Sequence, residues 1–288
     1  INATGPWVNH IFDDHIIPWQ GQERVSLIQG SHLVIPQHYP GDNAYLFQAA
    51  DRRILFAIPY QRHFTLLGTT DTPFIGLPEK ATVTAAEINY LISQANRYFN
   101  HPIQSNQIKW TFSGVRALYN ANHANGAAIS RDYHLAVEQQ QSLPVLTVFG
   151  GKLTSHRKLA EQAINALHRY FPHLSPAWTQ HHPLPGGKLN QHNIHDYFHL
   201  CQQQFHWLPI SVLRHYLTHY GDRIQVLLAN ANSISDLGQH YGDTLYQIEI
   251  DYSKQYEWAH TADDFLWRRT KYGLHLTEQE QQVLSLQF

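Results

Sequence analysis

Hydrophobic spacing along this chain changes period more than once. Between residues 24 and 71 the apolar positions come in short runs: VSLI from Val25, HLVI from His32, AYLF from Ala44, ILFAI from Ile54 and FTLL from Phe64. Turn-formers such as YPGDN and ADRR separate them. Short runs rich in β-branched and aromatic residues predict the strands of a largely antiparallel sheet. Residues 84–99 then take helical spacing, with Ile88, Leu91, Ile92 and Ala95 on one stripe and Thr84 and Glu87 placed for a capping box. Strand-like runs return at 108–118, 133–137 and 143–149. Ahead of the sheet, INATGPWVNHIF predicts a strand end, a Gly5-Pro6 turn and a helix carrying Trp7, Val8, Ile11 and Phe12.

The last of these strands feeds VFGGKLTSHRKLAEQA, from Val148 to Ala163, around which the chain is organised. An apolar run ends in Gly150 and Gly151, Lys152 follows, and helical spacing resumes through Leu159, Ala163, Ala166, Leu167 and Tyr170. A strand, a glycine turn and a helix N-terminus together suit an anion or an electron-rich carbonyl. The glycines let a ligand approach the backbone, and Lys152 adds a charge. An ordinary strand-to-helix turn reads the same way. Beyond it, FPHLSPAWTQHHPLPGG at 171–187 is proline-rich and aperiodic, and helical spacing fills 194–203, 210–220, 224–231, 244–258, 262–272 and 278–286. Thr277 and Glu280 form a second capping-box pattern. The expected layout is a mixed α/β body over 1–175, a linker at 176–187 and an all-α domain over 188–288.

Composition narrows the function classes. With 288 residues, 43% of them hydrophobic, the chain can bury one large core or two ordinary ones. A net charge of −2 gives no field for nucleic acid or an anionic membrane. The apolar runs are strand-length, so no transmembrane helix or signal peptide is expected. Cys201 is alone, which excludes an internal disulfide and suits a reducing compartment. The chain opens on Ile1 in mid-phrase, which suggests a piece of a longer protein.

Few residue patterns carry chemistry by themselves. His32, in QGSHLVIP, can take a proton near neutral pH, although it is one of 22 histidines. Arg116 in WTFSGVRALY and Arg131 in AAISRDYHL follow short β segments and suit bidentate capture of phosphate or carboxylate, but surface ion pairs, Arg131 with Asp132 among them, fit equally. Thr69 and Thr70 in LLGTTD offer hydroxyls or simply a turn. His192, His195 and His199 have helical spacing without an accompanying carboxylate motif, so no metal site is assigned. There is no P-loop, nucleophile elbow, CxxC or GxGxxG.

INATGPWV, IQGSHLVIP, LLGTTDTPF, IKWTFSGVRALY, ISRDYHL, VFGGKLTSHRKLAE and EWAHTADDFLWRRTKYG run in order from Asn2 to Gly273. Together they resemble the flavin-dependent (respiratory) glycerol-3-phosphate dehydrogenases. GTTD, SGVR and GGKLT are shared with related FAD oxidoreductases, whereas ADDFLWRRTKYG narrows the resemblance to this family. The resemblance implies an FAD-oxidoreductase body with a substrate-binding sheet, and FAD contacts at Gly5, Gly151, Lys152, Leu153 and Thr154. Arg116, Arg131, Lys152 and Thr69 would meet glycerol 3-phosphate. His32 and Arg116 would act on it, with His32 as base for the C2 hydroxyl. It further implies a quinone as electron acceptor and a peripheral position on the inner face of the cytoplasmic membrane, with no nucleic acid partner. The family's Gly-rich N-terminal fingerprint does not precede Ile1, so this piece alone is expected to hold flavin poorly and to be inactive. Rival readings are a glycerol-3-phosphate oxidase that uses oxygen and, for the C-terminal helices alone, a docking or homodimerisation module.

Overall fold

In the computed structural model, which describes residues 1–14, 21, 23–120, 131–140, 143–189 and 192–288, the chain divides into Ile1–Gln180 and His181–Phe288. Six strands dominate the first unit: β1 (Val25–Pro36), β2 (Tyr45–Gln48), β3 (Ile54–Tyr60), β4 (Phe64–Gly68), β5 (Thr72–Pro73) and β6 (Trp110–Tyr119). All their pairings are antiparallel. β1 is the spine. β4 and then β5 pair along one edge of it, and β6 pairs along the other from Val25↔Tyr119 to Val34↔Trp110. VSLI and HLVI therefore belong to one strand and not two, because Gln29, Gly30 and Ser31 keep the ladder with β6.

Alternation in this sheet sorts side chains onto two faces. Leu33, Ile35, Leu55, Ala57 and Leu67 point to one face and are buried there with Leu91 and Ala95 of a helix over Ala85–Ala95. Full burial of each leucine or isoleucine side chain contributes roughly 1.5–3 kcal/mol. The other face carries His32, Phe112 and Arg116, and it is the face of interest. In chain order the helices of this unit are α1 (Val8–Asp13), preceded by a 3-10 turn at Gly5–Trp7, α2 (Ala85–Ala95) and α3 (His156–Leu167). The predicted capping box at Thr84 and Glu87 caps α2. A hairpin of β7 (His134–Gln140) and β8 (Leu143–Phe149) follows β6, and Asn2 bridges Thr147 of β8 in parallel.

The second unit contains α4 (Ile194–Gln204), α5 (Ile210–Tyr220), α6 (Ile224–Leu227), a small pair β9 (His240–Gly242) and β10 (Leu245–Tyr246), α7 (Gln247–Tyr256) and α8 (Glu278–Ser285). Three helices differ from the spacing-based expectation. α6 stops four residues early. α7 starts at Gln247 because Leu245 and Tyr246 are drawn into pairing with β9. The helix expected over 262–272 becomes a π-helical segment, Asp264–Arg269, closed by the Thr270 amide donating to the Phe265 carbonyl at 3.0 Å. Its core gathers Leu213, Tyr216, Ile224 and Leu237 in one cluster and Leu245, Ile250, Phe265 and Leu284 in another. No helix among the described residues is long and apolar enough to cross a membrane.

Candidate functional site

Two glycines in strands prepare the site face. A Cβ at Gly30 would collide with the Arg116 guanidinium, and one at Gly68 with the His32 ring, so each side chain lies flat over a bare stretch of strand. Arg116 is drawn from β6 towards the segment after β4. Its Nη2 donates to Thr69 Oγ1 at 3.0 Å, and its Nη1 donates to the Thr70 carbonyl at 3.4 Å and to Asp71 Oδ1 at 3.2 Å. The Arg131 Nη2 lies 3.5 Å from the other oxygen of Asp71. Asp71 thus sits between two guanidiniums, both reachable from solvent.

Arg116, Arg131 and Asp71 share a cavity of about 470 Å³ with Gly5, Pro6, Gly150, Gly151, Lys152 and Leu153. Two guanidiniums and an ammonium in one partly open cavity suit a multiply charged anion. The glycines differ in purpose. Gly5 has φ +57° and open space where a Cβ would stand. Gly150 and Gly151, with φ +73° and +103°, are crowded by the chain itself: a Cβ at Gly150 would come within 3.1 Å of the Tyr119 and Asp132 backbone. Gly150 and Gly151 therefore shape the turn, and together with Gly5 they line the cavity with backbone. Nor does α3 begin directly after Lys152. Ser155 Oγ donates to the Lys152 carbonyl at 2.9 Å and tightens Leu153–Ser155 into a 3-10 turn first.

His32 stacks on Phe112 with ring centroids 4.8 Å apart and 8° between planes. Burial, and then the charge of Arg116, push its pKa down to about 4. The ring is therefore neutral at pH 7 and can accept a proton, and its Nδ1 is buried without a partner. His32 does not line the arginine cavity; it stands beside it on the same sheet face, and Thr69 reaches the cavity only through its bond to Arg116. Thr154 is placed apart, in an adjoining cavity of about 660 Å³ with Tyr133, Arg157 and Lys158. His192 precedes α4, so it does not continue a helical face with His195 and His199. No group of three metal-ligating side chains occurs among the described residues.

Residue-by-residue reading missed Asp71, which lies inside LLGTTDTPF, and Phe112, whose partner is far away in sequence. The signal available was the glycine in each of QGSH and LLGTTD, since a glycine inside a strand marks a close approach.

Comparison with known proteins places this geometry. Residues 1–157 match the family described as FAD dependent oxidoreductase, and residues 177–285 match the C-terminal domain of alpha-glycerophosphate oxidase. The chain is 41% identical over 288 residues to the aerobic glycerol-3-phosphate dehydrogenase of Escherichia coli K12, covering 99% of this chain and 57% of that protein. It is 37% identical over 280 residues to the D-erythritol 1-phosphate dehydrogenase of Brucella abortus, covering 97% and 56%. The fold matches the X-ray structure of glycerol-3-phosphate dehydrogenase from Bacillus halodurans complexed with FAD, with a TM-score of 0.78, 24% identity, and coverage of 94% of this chain and 53% of that one. The chain thus spans little more than half the length of these relatives. Its residues fit one side of a flavin: open backbone at Gly5, an exposed apolar side chain at Leu153 and an ammonium at Lys152 line one wall.

Proposed function

The chain belongs to the FAD dependent oxidoreductase family, and from that premise we propose that the full-length protein oxidises sn-glycerol 3-phosphate to dihydroxyacetone phosphate. The observation that carries this reading is the pair Arg116 and Arg131 around Asp71, at the cavity lined by Gly5, Lys152 and Leu153. Two guanidinium forks suit a phosphate dianion, and the Thr69 hydroxyl, already bonded to Arg116, is a partner for the neighbouring glycerol oxygen. His32 is the base: kept neutral by burial and by Arg116, it accepts the proton of the C2 hydroxyl. FAD supplies the two-electron acceptor for the C2 hydride. Gly5, Gly151, Lys152, Leu153 and Thr154 are the residues on this chain that would hold it, with Lys152 placing positive charge at the polar edge of the ring.

In this reading residues 1–175 are the remainder of the flavin and substrate body, 176–187 a linker and 188–288 a helical domain that serves docking or homodimerisation. Electrons pass on to a quinone, and the protein works as a peripheral protein on the inner face of the cytoplasmic membrane. Two alternatives have specific support. The match of 177–285 to an oxidase domain favours oxygen as a second acceptor to test, and the erythritol phosphate relative favours a longer polyol phosphate as a second substrate. One anaerobic experiment separates them. The visible flavin spectrum of the full-length protein should bleach on adding glycerol 3-phosphate, more completely than with D-erythritol 1-phosphate, and colour should return with a quinone faster than with oxygen. A spectrum indifferent to glycerol 3-phosphate overturns the substrate, and faster return with oxygen overturns the acceptor.

A further inference from the structure

The face of the sheet opposite the cavity holds a carboxylate that reaches the site without touching it. Glu87, on α2, is buried, and five donors converge on it. Oε1 accepts from Thr70 Oγ1 at 2.7 Å and Ser31 Oγ at 2.8 Å, and Oε2 accepts from Gln29 Nε2 and from the amide and hydroxyl of Thr84, each at 3.0 Å. A capping box needs only the Thr84 bonds. The bonds from the sheet go beyond it. Burial alone would raise the pKa of Glu87, but the hydrogen bonds from Thr70, Thr84 and Ser31 outweigh it and hold the carboxyl below the usual carboxylate range.

Thr70 is the connection. Its hydroxyl donates to Glu87 and accepts from the Ser31 amide at 2.8 Å, so it is fixed from both sides. Its carbonyl and its neighbours Thr69 and Asp71 provide the acceptors that grip the Arg116 guanidinium. We propose that Glu87 is a positioning residue for phosphate recognition, which through Thr70 holds the 69–71 segment that aims Arg116. The proposal rests on the reading of Arg116 as a phosphate ligand. Glutamine in its place keeps the size but turns an NH2 towards donors, whichever way the amide sits, and an unmatched donor in a buried network shifts its neighbours.

The test uses the full-length, FAD-loaded protein and inorganic phosphate as probe, with affinity read by calorimetry. Glu87→Gln and Thr70→Val should each weaken phosphate binding about threefold to tenfold, and the double variant should be no worse than either, because both cut one connection. In an Arg116→Lys background, which keeps charge but loses the planar fork, Glu87→Gln should cost less than about twofold. The KM for glycerol 3-phosphate should rise by the same factor as the phosphate Kd, with kcat changing less and flavin content unchanged. If Glu87→Gln does not fold, Thr70→Val alone and combined with Arg116→Lys makes the same test. Phosphate binding unchanged by Glu87→Gln, or weakened equally with and without Arg116→Lys, overturns the positioning role. A wild-type protein that binds neither phosphate nor glycerol 3-phosphate overturns the substrate reading and the proposal together, and is recognised from the wild type alone.

Discussion

Both units bury a carboxylate, and the two are used differently. Glu87 is held by hydroxyls and amides, one of which belongs to the segment gripping Arg116. Glu249, with no exposed surface, is ringed by His215 Nε2 at 2.8 Å, the Tyr220 hydroxyl at 2.8 Å and the Tyr272 hydroxyl at 3.1 Å. Those partners come from α5 and the turn at Tyr272–Leu274. Burial and the Glu249 charge push the Tyr220 and Tyr272 hydroxyls far above their usual range, so both stay protonated donors. The chemistry of a buried acid is alike in the two units. Where its outer partners end decides the role: at a cavity the network aims a cation, and inside a helical core it ties elements together.

The comparison predicts that damage on the site face, at His32 and Arg116, costs catalysis more than stability, and damage at Glu249 the reverse. The largest effect should come from His32→Gln, which cannot accept the proton: kcat with glycerol 3-phosphate should fall about 10²–10⁴-fold at unchanged melting temperature. Steady-state kinetics on the full-length enzyme check this, and a loss below about tenfold contradicts the base assignment. Next, Arg116→Ala should lower kcat/KM about a hundredfold, mainly through KM, since it removes a charged partner of the phosphate. Glu249→Ala should leave kinetics per bound flavin intact but lower the unfolding free energy by about 3 kcal/mol, read by denaturant titration, because it strands buried donors. Equal catalytic damage from Glu249→Ala would erase the distinction between the two networks.

The smallest effect concerns pH. The His32 pKa is lowered from 6.5 to about 4, so the unfolded chain binds its proton first. The stability linked to this ring is present above pH 6.5 and is lost as pH falls towards 4. The ring is only partly buried, so solvent moderates the effect. Thermal melts between those pH values should slope less for His32→Gln than for the wild type. For the same reason kcat/KM should hold as pH drops through 6.5, whereas an ordinary histidine base would lose activity there.

What could be read beforehand was local. α5 begins and ends where its spacing placed it, and both capping boxes, Thr84 with Glu87 and Thr277 with Glu280, form. The antiparallel sheet and the C-terminal helices were legible from period alone. Long-range pairing was not. Nothing near Gln29 says that β6 keeps the strand running past Gly30, and nothing near Leu245 announces the β9 partner that delays α7. The π-helical segment keeps α-like spacing and differs only in its hydrogen bonds. The candidate site shows the same limit: Arg116 and His32 could be singled out as residue types, but Asp71 lies 45 residues from Arg116. Glu87 looked finished as a cap, and its second role appears only when Ser31 and Thr70 arrive from the sheet.

The most direct test of the central claim is a crystal structure of the full-length, oxidised protein with dihydroxyacetone phosphate, the product, which cannot react further there. The account predicts phosphate oxygens within hydrogen-bond distance of both Arg116 and Arg131, and the carbonyl oxygen on the His32 side of Arg116. A phosphate bound away from both arginines, or a carbonyl turned away from His32, would contradict it.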